Sequence, residues 1–493
     1  MSIIRRCSAR FLKTVLGLVG FGLLASSSQA WAIPAFARKY GTSCQTCHTV
    51  YPKLTPFGEA FRRNGYRFPG VDSDYVKQEP VALGQEEYKK TFPNSVWPGA
   101  LPSGAPLAFG FNGQALLHPD KNATGAAADN NTIFTLKDLF AEAHLWTGGS
   151  FDDKTTFWGE VTFASDGSLS VEHAEVIFND LVGPAHAVNL RVGHITGNVT
   201  SFGIHSAYVN DTFAPVVPVT ALYGATSDSF NLADSYNGVE LNGVIEGRLS
   251  YSVGINAGPN ALTRPTENVY GHVAGKLGGM RLDGEGSSGP TDPTKPWAET
   301  ALTIDAFAYH VNSASVSAAG TPFQDTSLTF GADLRFQWQS LELNSGFFIE
   351  NHNHAQADNP DVLDPTGTTV LFPGAPLDSN GNVLLNKNGA SLFAQYNELS
   401  YVVFPWMVPA VRVEYLQLAV PGGSNVSDVR IIPGIAFAIR PNIKLMISGQ
   451  IEIAQGAPTA AGWGAANGLA APPDYKTQVT EIESITAYFA AAF

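Results

Sequence analysis

The chain has 493 residues, of which 44% are hydrophobic and only 15% charged, with 49 Gly, 31 Pro, three Cys and a net charge of −14. So few charges exclude a disordered chain or a coiled coil, and the acidic balance argues against nucleic acid or an anionic membrane surface as a partner. A mean hydropathy of zero, with no apolar run of about 18 residues beyond the N-terminal segment, excludes a helical transporter.

The N-terminal segment reads as an export signal. Arg5, Arg6, Arg10 and Lys13 form a basic start, Thr14 to Leu24 an apolar stretch, and Ala30-Trp31-Ala32 a small-residue cleavage site. Residues 1–32 are therefore expected to be removed, taking four basic residues and one cysteine with them. A transmembrane anchor is the competing reading, against which the apolar stretch is short and the cleavage site well formed.

Two cysteines remain, in Cys44-Gln45-Thr46-Cys47-His48. This C-x-x-C-H pattern attaches haem c: the two thiols add across the haem vinyl groups and the histidine is the proximal ligand of the iron. Three other readings compete. Zinc would need further ligands from scattered histidines, a redox-active dithiol would need a thioredoxin-like context, and a plain disulfide would close only a short loop. Export to a compartment that attaches haem c favours one covalent haem, with Cys44 and Cys47 as attachment points and His48 as iron ligand.

Downstream, Thr55 as N-cap, Pro56 at the first helical position and Asn64-Gly65 as the stop predict a helix of two to three turns. Phe57 and Phe61 share one of its faces, which either covers a haem or is ordinary core. Arg38, Arg62 and Arg63 are candidates for haem propionates, against a solvated face. Between Ile33 and Pro106 there is no Met and no His besides His48, so any sixth iron ligand comes from the rest of the chain. Residues 33–104 are read as a small α-helical haem domain with its linker.

From about residue 105 the period changes to two. Leu328, Phe330, Ala332, Leu334, Phe336 and Trp338 alternate with Asp333, Arg335 and Gln337; the pattern returns in 341–350 and in 443–453, where Lys444, Gln450 and Glu452 are polar. Apolar outside and polar inside inverts a soluble barrel and matches one in lipid. Connections at 148–154, 246–248, 338–340, 404–406 and 440–442 are short. Those at 119–133, 195–212, 279–297, 351–390 and 454–478 are long, and are expected together at the opposite end. The chain ends on an alternating strand closing at Phe493. Residues 105–493, at about 24 per strand and loop, predict an all-β transmembrane barrel of about 16 antiparallel strands.

The stretch from Pro34-Ala35-Phe36-Ala37-Arg38 through Cys44-x-x-Cys47-His48 to Leu54-Thr55-Pro56-Phe57-Gly58 and Asn64-Gly65-Tyr66 resembles the fused monohaem cytochrome–porins of the bacterial outer membrane, whose best-known branch serves ferrous-iron oxidisers. The resemblance implies a haem domain in or at the mouth of a barrel of about 16 strands, passing electrons between extracellular iron and a periplasmic carrier. Cys44, Cys47 and His48 carry over; no distal ligand does.

Facing alone ranks the candidates for that ligand. His144 shares a polar face with Asp138 and Glu142, His118 ends the first strand with inward parity, and Met446 is inward by pattern. For each histidine the competing reading is a satisfied lumen side chain. His352 and His354, beside Asp358 and Asp361, are candidates to collect external metal ions, against a solvated loop. The expected function is an outer-membrane electron conduit for Fe(II)/Fe(III) or another external redox partner. A haem-plugged solute porin and a haem peroxidase stand as alternatives.

Overall fold

Apolar side chains at every second position cannot be buried on one face of so long a chain unless the sheet closes and lipid takes the other face. The computed structural model describes residues 35–69, 72–77, 80–81, 89–94, 101–102, 106–119, 132–136, 138–201, 205, 208, 232, 234–257, 268–287, 289–316, 322–352, 390–419, 426–455 and 478–492. The signal segment, His354, Asp358 and Asp361 lie outside the described residues.

Three short helices come first: α1 (Ala35–Tyr40), α2 (Cys44–Cys47) and α3 (Pro56–Arg63). Small strands β1 (His48–Val50) and β2 (Lys53–Leu54) pair between α2 and α3, and β3 (Pro80–Val81) pairs with β4 (Leu101–Pro102). A closed antiparallel barrel follows. Its strands are β5 (Leu107–Pro119), β6 (Thr132–Thr135), β7 (Glu142–Ser150), β8 (Thr155–Ala164), β9 (Leu169–Phe178), β10 (Asn189–Thr196), β11 (Ser235–Ile245), β12 (Leu249–Asn256), β13 (Asn268–Gly278) and β14 (Glu299–Val316). The remainder are β15 (Pro322–Gln339), β16 (Leu341–His352), β17 (Ala390–Tyr401), β18 (Met407–Ala419), β19 (Val426–Arg440), β20 (Ile443–Gln455) and β21 (Gln478–Ala492). Both β6 and β7 pair with β5, so they are two parts of one interrupted strand, and the wall has 16 strands. Closure is made by β21 on β5, from Ile485↔Leu117 to Ala492↔Gly110.

The alternation faces as the sequence predicts. Leu328, Phe330, Phe336 and Trp338 are exposed on the outer face, while Asp333 and Gln337 are buried inside. Ile447 points out; Lys444 and Met446 are buried on the inner face. Trp338, Tyr401, Phe404 and Trp406 are exposed at strand ends beside short connections, where the aromatic girdle of a lipid-embedded barrel belongs.

Two expectations are corrected. The segment 279–298 connects β13 to β14 at the same end as 151–154, 246–248 and 441–442, so it is a long connection at the short-turn end. Within it Met280 and Leu282 are buried side chains. Asp138 also lies outside any strand, in the break between β6 and β7. Gly113 causes that break: a Cβ there would stand 2.0 Å from the Leu139 carbonyl oxygen. The bare glycine lets the crossing backbone press against β5, where Gln114 N–H donates to Asp138 O at 2.7 Å.

Candidate functional site

The segment from α1 to α3 lies inside the barrel. Lys53 is ion-paired to Glu342 of β16 and is 1% exposed. Asn64 Nδ2 donates to Asp283 O at 2.6 Å, Lys39 Nζ reaches Ser150 Oγ at 3.0 Å, and Arg67 pairs with Asp180 at 3.1 Å. Tyr66 stacks on Trp158 of the wall, with ring centroids 4.9 Å apart. Asp153, which offers Arg67 its carbonyl, Asp180 and Asp283 all belong to connections at the short-turn end. That is also the end where β5 begins and β21 finishes.

Local sequence builds the C-x-x-C-H turn. The Ser43 side chain caps α2 by accepting from Gln45 N–H at 3.2 Å. One helical turn places Cys44 and Cys47, three apart, on the same face. The chain then straightens at His48 (φ −123°), which carries the imidazole off the end of the turn. Helix α3 follows the sequence rules closely: Thr55 Oγ1 accepts from Gly58 N–H at 3.1 Å, Pro56 opens it, Asn64 caps it, and Gly65 leaves at φ +65°. Gly58 is required where it stands, because a Cβ would lie 2.1 Å from the Cys47 carbonyl oxygen. Phe57, Ala60 and Phe61 form a core with Tyr40, Phe68 and Met280, against which Cys47 packs. The aromatic face of α3 is thus the core that supports the turn.

His48 Nδ1 stands 3.1 Å from the Pro52 carbonyl oxygen. A carbonyl can only accept, so Nδ1 carries the proton and Nε2 keeps its lone pair, the tautomer an axial ligand needs. Burial pulls the His48 pKa below its ordinary value against the bonds to Pro52 and Lys53, which keeps the ring neutral. Burial also pushes the Cys44 thiol up, and it lifts Cys47 to about 12 with help from Cys44. A redox-active dithiol requires the opposite shift. Among the described residues no three His, Cys, Asp or Glu side chains stand where they would hold a metal ion, so the pair has no assembled zinc site around it. The donor set fits haem c: two adjacent free thiols on one face and a neutral imidazole with its far nitrogen fixed.

Beyond α3 a cavity of about 110 Å³ separates the plug from the wall, lined by Glu59, Arg62 and Arg63 on one side and Arg191, Lys276 and Arg335 among the residues on the other. Glu59 lies 3.8, 3.7 and 4.0 Å from Arg62, Arg63 and Arg335. Burial raises its carboxyl, but the three guanidinium groups outweigh burial and hold it at about 2. Of the arginines considered for propionates, Arg38 is engaged by the Leu107 carbonyl at 2.6 Å. Arg62 and Arg63 face the cavity, and the Nε of Arg62 has no hydrogen-bond partner.

His144 faces the lumen, as its parity predicts. Its Nε2 is 3.0 Å from Asn112 Nδ2, its Nδ1 3.1 Å from Thr162 Oγ1, and Glu160 and Glu142 lie at 3.2 and 3.5 Å. It stacks on Trp146 at 5.2 Å, Trp146 meets Tyr51 at 6.2 Å, and Tyr51 meets His48 at 5.6 Å. Met446 packs in a core with Val50, Tyr208, Val408 and Ile432, which brings it to the segment just after His48. His118 pairs with Ile133 at the far end of β5, and His352 ends β16; their side chains lie outside the described residues.

One site residue escaped the sequence reading. His205 belongs to the β10–β11 connection, of which the described residues Thr200, Ser201, His205 and Tyr208 lie against the inner wall and the N-terminal segment. Its carbonyl accepts from Leu54 N–H at 2.8 Å, and its Nδ1 is 3.5 Å from Pro52 O. The only cue was the run of Thr200, Ser201 and Tyr208, whose hydroxyl and backbone groups meet Asp333, Asp305 and Glu398 of the inner wall.

No protein-family model matches the chain, and no curated protein matches it in sequence. Among solved structures it is similar to an anion-selective porin from Comamonas acidovorans, 11% identical, with a TM-score of 0.50 over 79% of this chain and 100% of that one. The outer membrane channel DcaP of Acinetobacter baumannii is 12% identical, with a TM-score of 0.44 over 79% and 98%. Salmonella typhi OmpF is 10% identical, with a TM-score of 0.44 over 78% and 96%. The likeness to the first is one of fold. The chain is a porin-like barrel of the bacterial outer-membrane type, in contact with membrane lipid on its outer face.

Proposed function

We propose that the protein is an outer-membrane electron conduit of the fused cytochrome–porin kind, carrying one covalent haem c inside its barrel. The observation that carries this reading is a C-x-x-C-H turn held within the lumen, with His48 Nδ1–H directed to Pro52 O and Nε2 left for the iron. When bound, the haem supplies a one-electron relay partway across a hydrocarbon core about 30 Å thick. The chain's own residues do the rest. Cys44 and Cys47 fix the group by thioether bonds, His48 ligates, and Phe57, Phe61 and Phe68 support the turn and exclude water. The wall keeps lipid out and leaves partners to approach from either mouth: a periplasmic carrier at the short-turn end, and extracellular iron or another redox partner at the long-loop end. A haem stain on a denaturing gel tests the attachment, with Cys44→Ser/Cys47→Ser losing it. Liposomes holding an internal electron acceptor test the conduit: addition of external Fe(II) without reduction of that acceptor overturns it.

A second reading is a solute porin for which residues 35–77 form a plug. The porin-like fold and the charged cavity beside α3 favour it. Single-channel conductance separates the two: steady ohmic current through the haem-loaded protein supports the porin, and a closed lumen with acceptor reduction supports the conduit.

A further inference from the structure

We propose that His205 is a positioning residue for the iron ligand: it divides the Pro52 carbonyl with His48, and so links the ligand to a loop from the opposite mouth of the barrel. The inference rests on the haem reading above. Pro52 O is acceptor only, with two lone pairs. Both contacts, 3.1 Å from His48 Nδ1 and 3.5 Å from His205 Nδ1, therefore require the nitrogen to carry the proton. The Pro52 side of His48 is its Nδ1 side, so Nε2 is the nitrogen that would take the iron. His205 would thus act on the ligand through the carbonyl that holds its Nδ1, a role distinct from the direct ligation considered for His144, His118 and Met446.

Two donors to one oxygen weaken each other. A weaker Nδ1–H···O bond leaves the imidazole a poorer electron donor, which favours the reduced iron. Removing the His205 donor should strengthen the His48 bond and lower the reduction potential. The backbone at His205 and Tyr208 is held independently of that side chain. His205 O accepts from Leu54 N–H at 2.8 Å, Tyr208 N–H donates to Glu398 at 2.6 Å, and Lys444 Nζ donates to Tyr208 O at 2.8 Å. Lys53 Nζ also sits 4.9 Å from the centroid of the Tyr208 ring. A substitution at position 205 consequently changes the donor while these anchors hold the backbone in place.

The test uses the full-length, haem-loaded protein in detergent. Haem content comes from the pyridine haemochrome, barrel closure from heat-modifiable gel mobility, and midpoint potential from protein-film voltammetry at fixed pH. His205→Ala and the volume-conserving His205→Phe are expected to shift the midpoint downward. His205→Asn, which can present an amide N–H near the same place, should move it back toward wild type. Haem-loaded, closed variants with unchanged or raised midpoints overturn the role of His205. A wild-type protein that gives no haemochrome overturns the haem reading itself, and the two failures are told apart by that measurement.

Discussion

Glu59→Gln isolates the electrostatics that hold the plug. The substitution keeps size and shape but removes the one carboxylate that Arg62, Arg63 and Arg335 share at 3.7–4.0 Å. The carboxyl is held at about 2 instead of 4.5, and its side chain is 9% exposed, so solvent screening is small. At ~1.4 kcal/mol per tenfold change, that difference corresponds to about 3 kcal/mol at pH 7, within the range for breaking a buried ion pair. Because the folded value is depressed, the contribution is complete above about pH 4.5 and is lost as pH falls toward 2. Hydrogen exchange of residues 44–63 in the detergent-solubilised protein reads the opening of the plug against the wall. Glu59→Gln should raise exchange there ~100-fold at neutral pH, leave the wall strands protected, and abolish the wild-type loss of protection below pH 4.5. Equal protection in both proteins, or a wild type indifferent to acid in that window, would refute the reasoning.

Other outcomes follow from single contacts. Gly58→Ala puts a methyl 2.1 Å from Cys47 O, and the resulting shift of α3, about 1–3 kcal/mol, should appear as lost exchange protection across 44–63 with barrel mobility on gels unchanged. Thr55→Ala removes the α3 cap bond and should cost about 1 kcal/mol in the same assay. Ile304→Arg places a charge on an outward position that is 54% exposed; refolding into lipid vesicles followed by denaturant titration should show a loss of up to about 2–4 kcal/mol, depending on depth, and no loss would place that face outside the lipid.

What the sequence made legible was whatever depends on near neighbours. Alternation in 328–338 and 443–453 set the facing of β15 and β20, and the Thr55, Pro56 and Asn64-Gly65 signals bounded α3 within a residue. The strand break at Asp138 was not legible, because its cause is Gly113 on another strand. Nor was the position of 279–298, since its length resembled an outer loop while Met280 packs in one core with Phe57 and Phe61 of the plug. His205 was missed for the same reason: its neighbours Thr200, Ser201 and Tyr208 are held inside by Asp333, Asp305 and Glu398, side chains distant in sequence that only barrel closure brings together.

The inner wall carries more buried charge than an open, water-filled pore requires. Glu342 is paired at once by Arg335 of the neighbouring strand, at 3.1 Å, and by Lys53 of the plug; Arg335 in turn faces Glu59 at 4.0 Å. The charges alternate in sign from plug to wall to plug, so the Arg335–Glu342 pair of the wall meets a plug charge of opposite sign on each side. A segment resting at the mouth would leave Lys53 to water, where an ion pair contributes about 0–1 kcal/mol, while Glu342 kept Arg335. Inside the lumen Lys53 is desolvated, and leaving it without Glu342 costs several kcal/mol. Glu342 and Arg335 therefore hold Lys53 and Glu59 against the wall, and the short segment from β2 to α3 between them carries the Cys44–His48 turn to the same place.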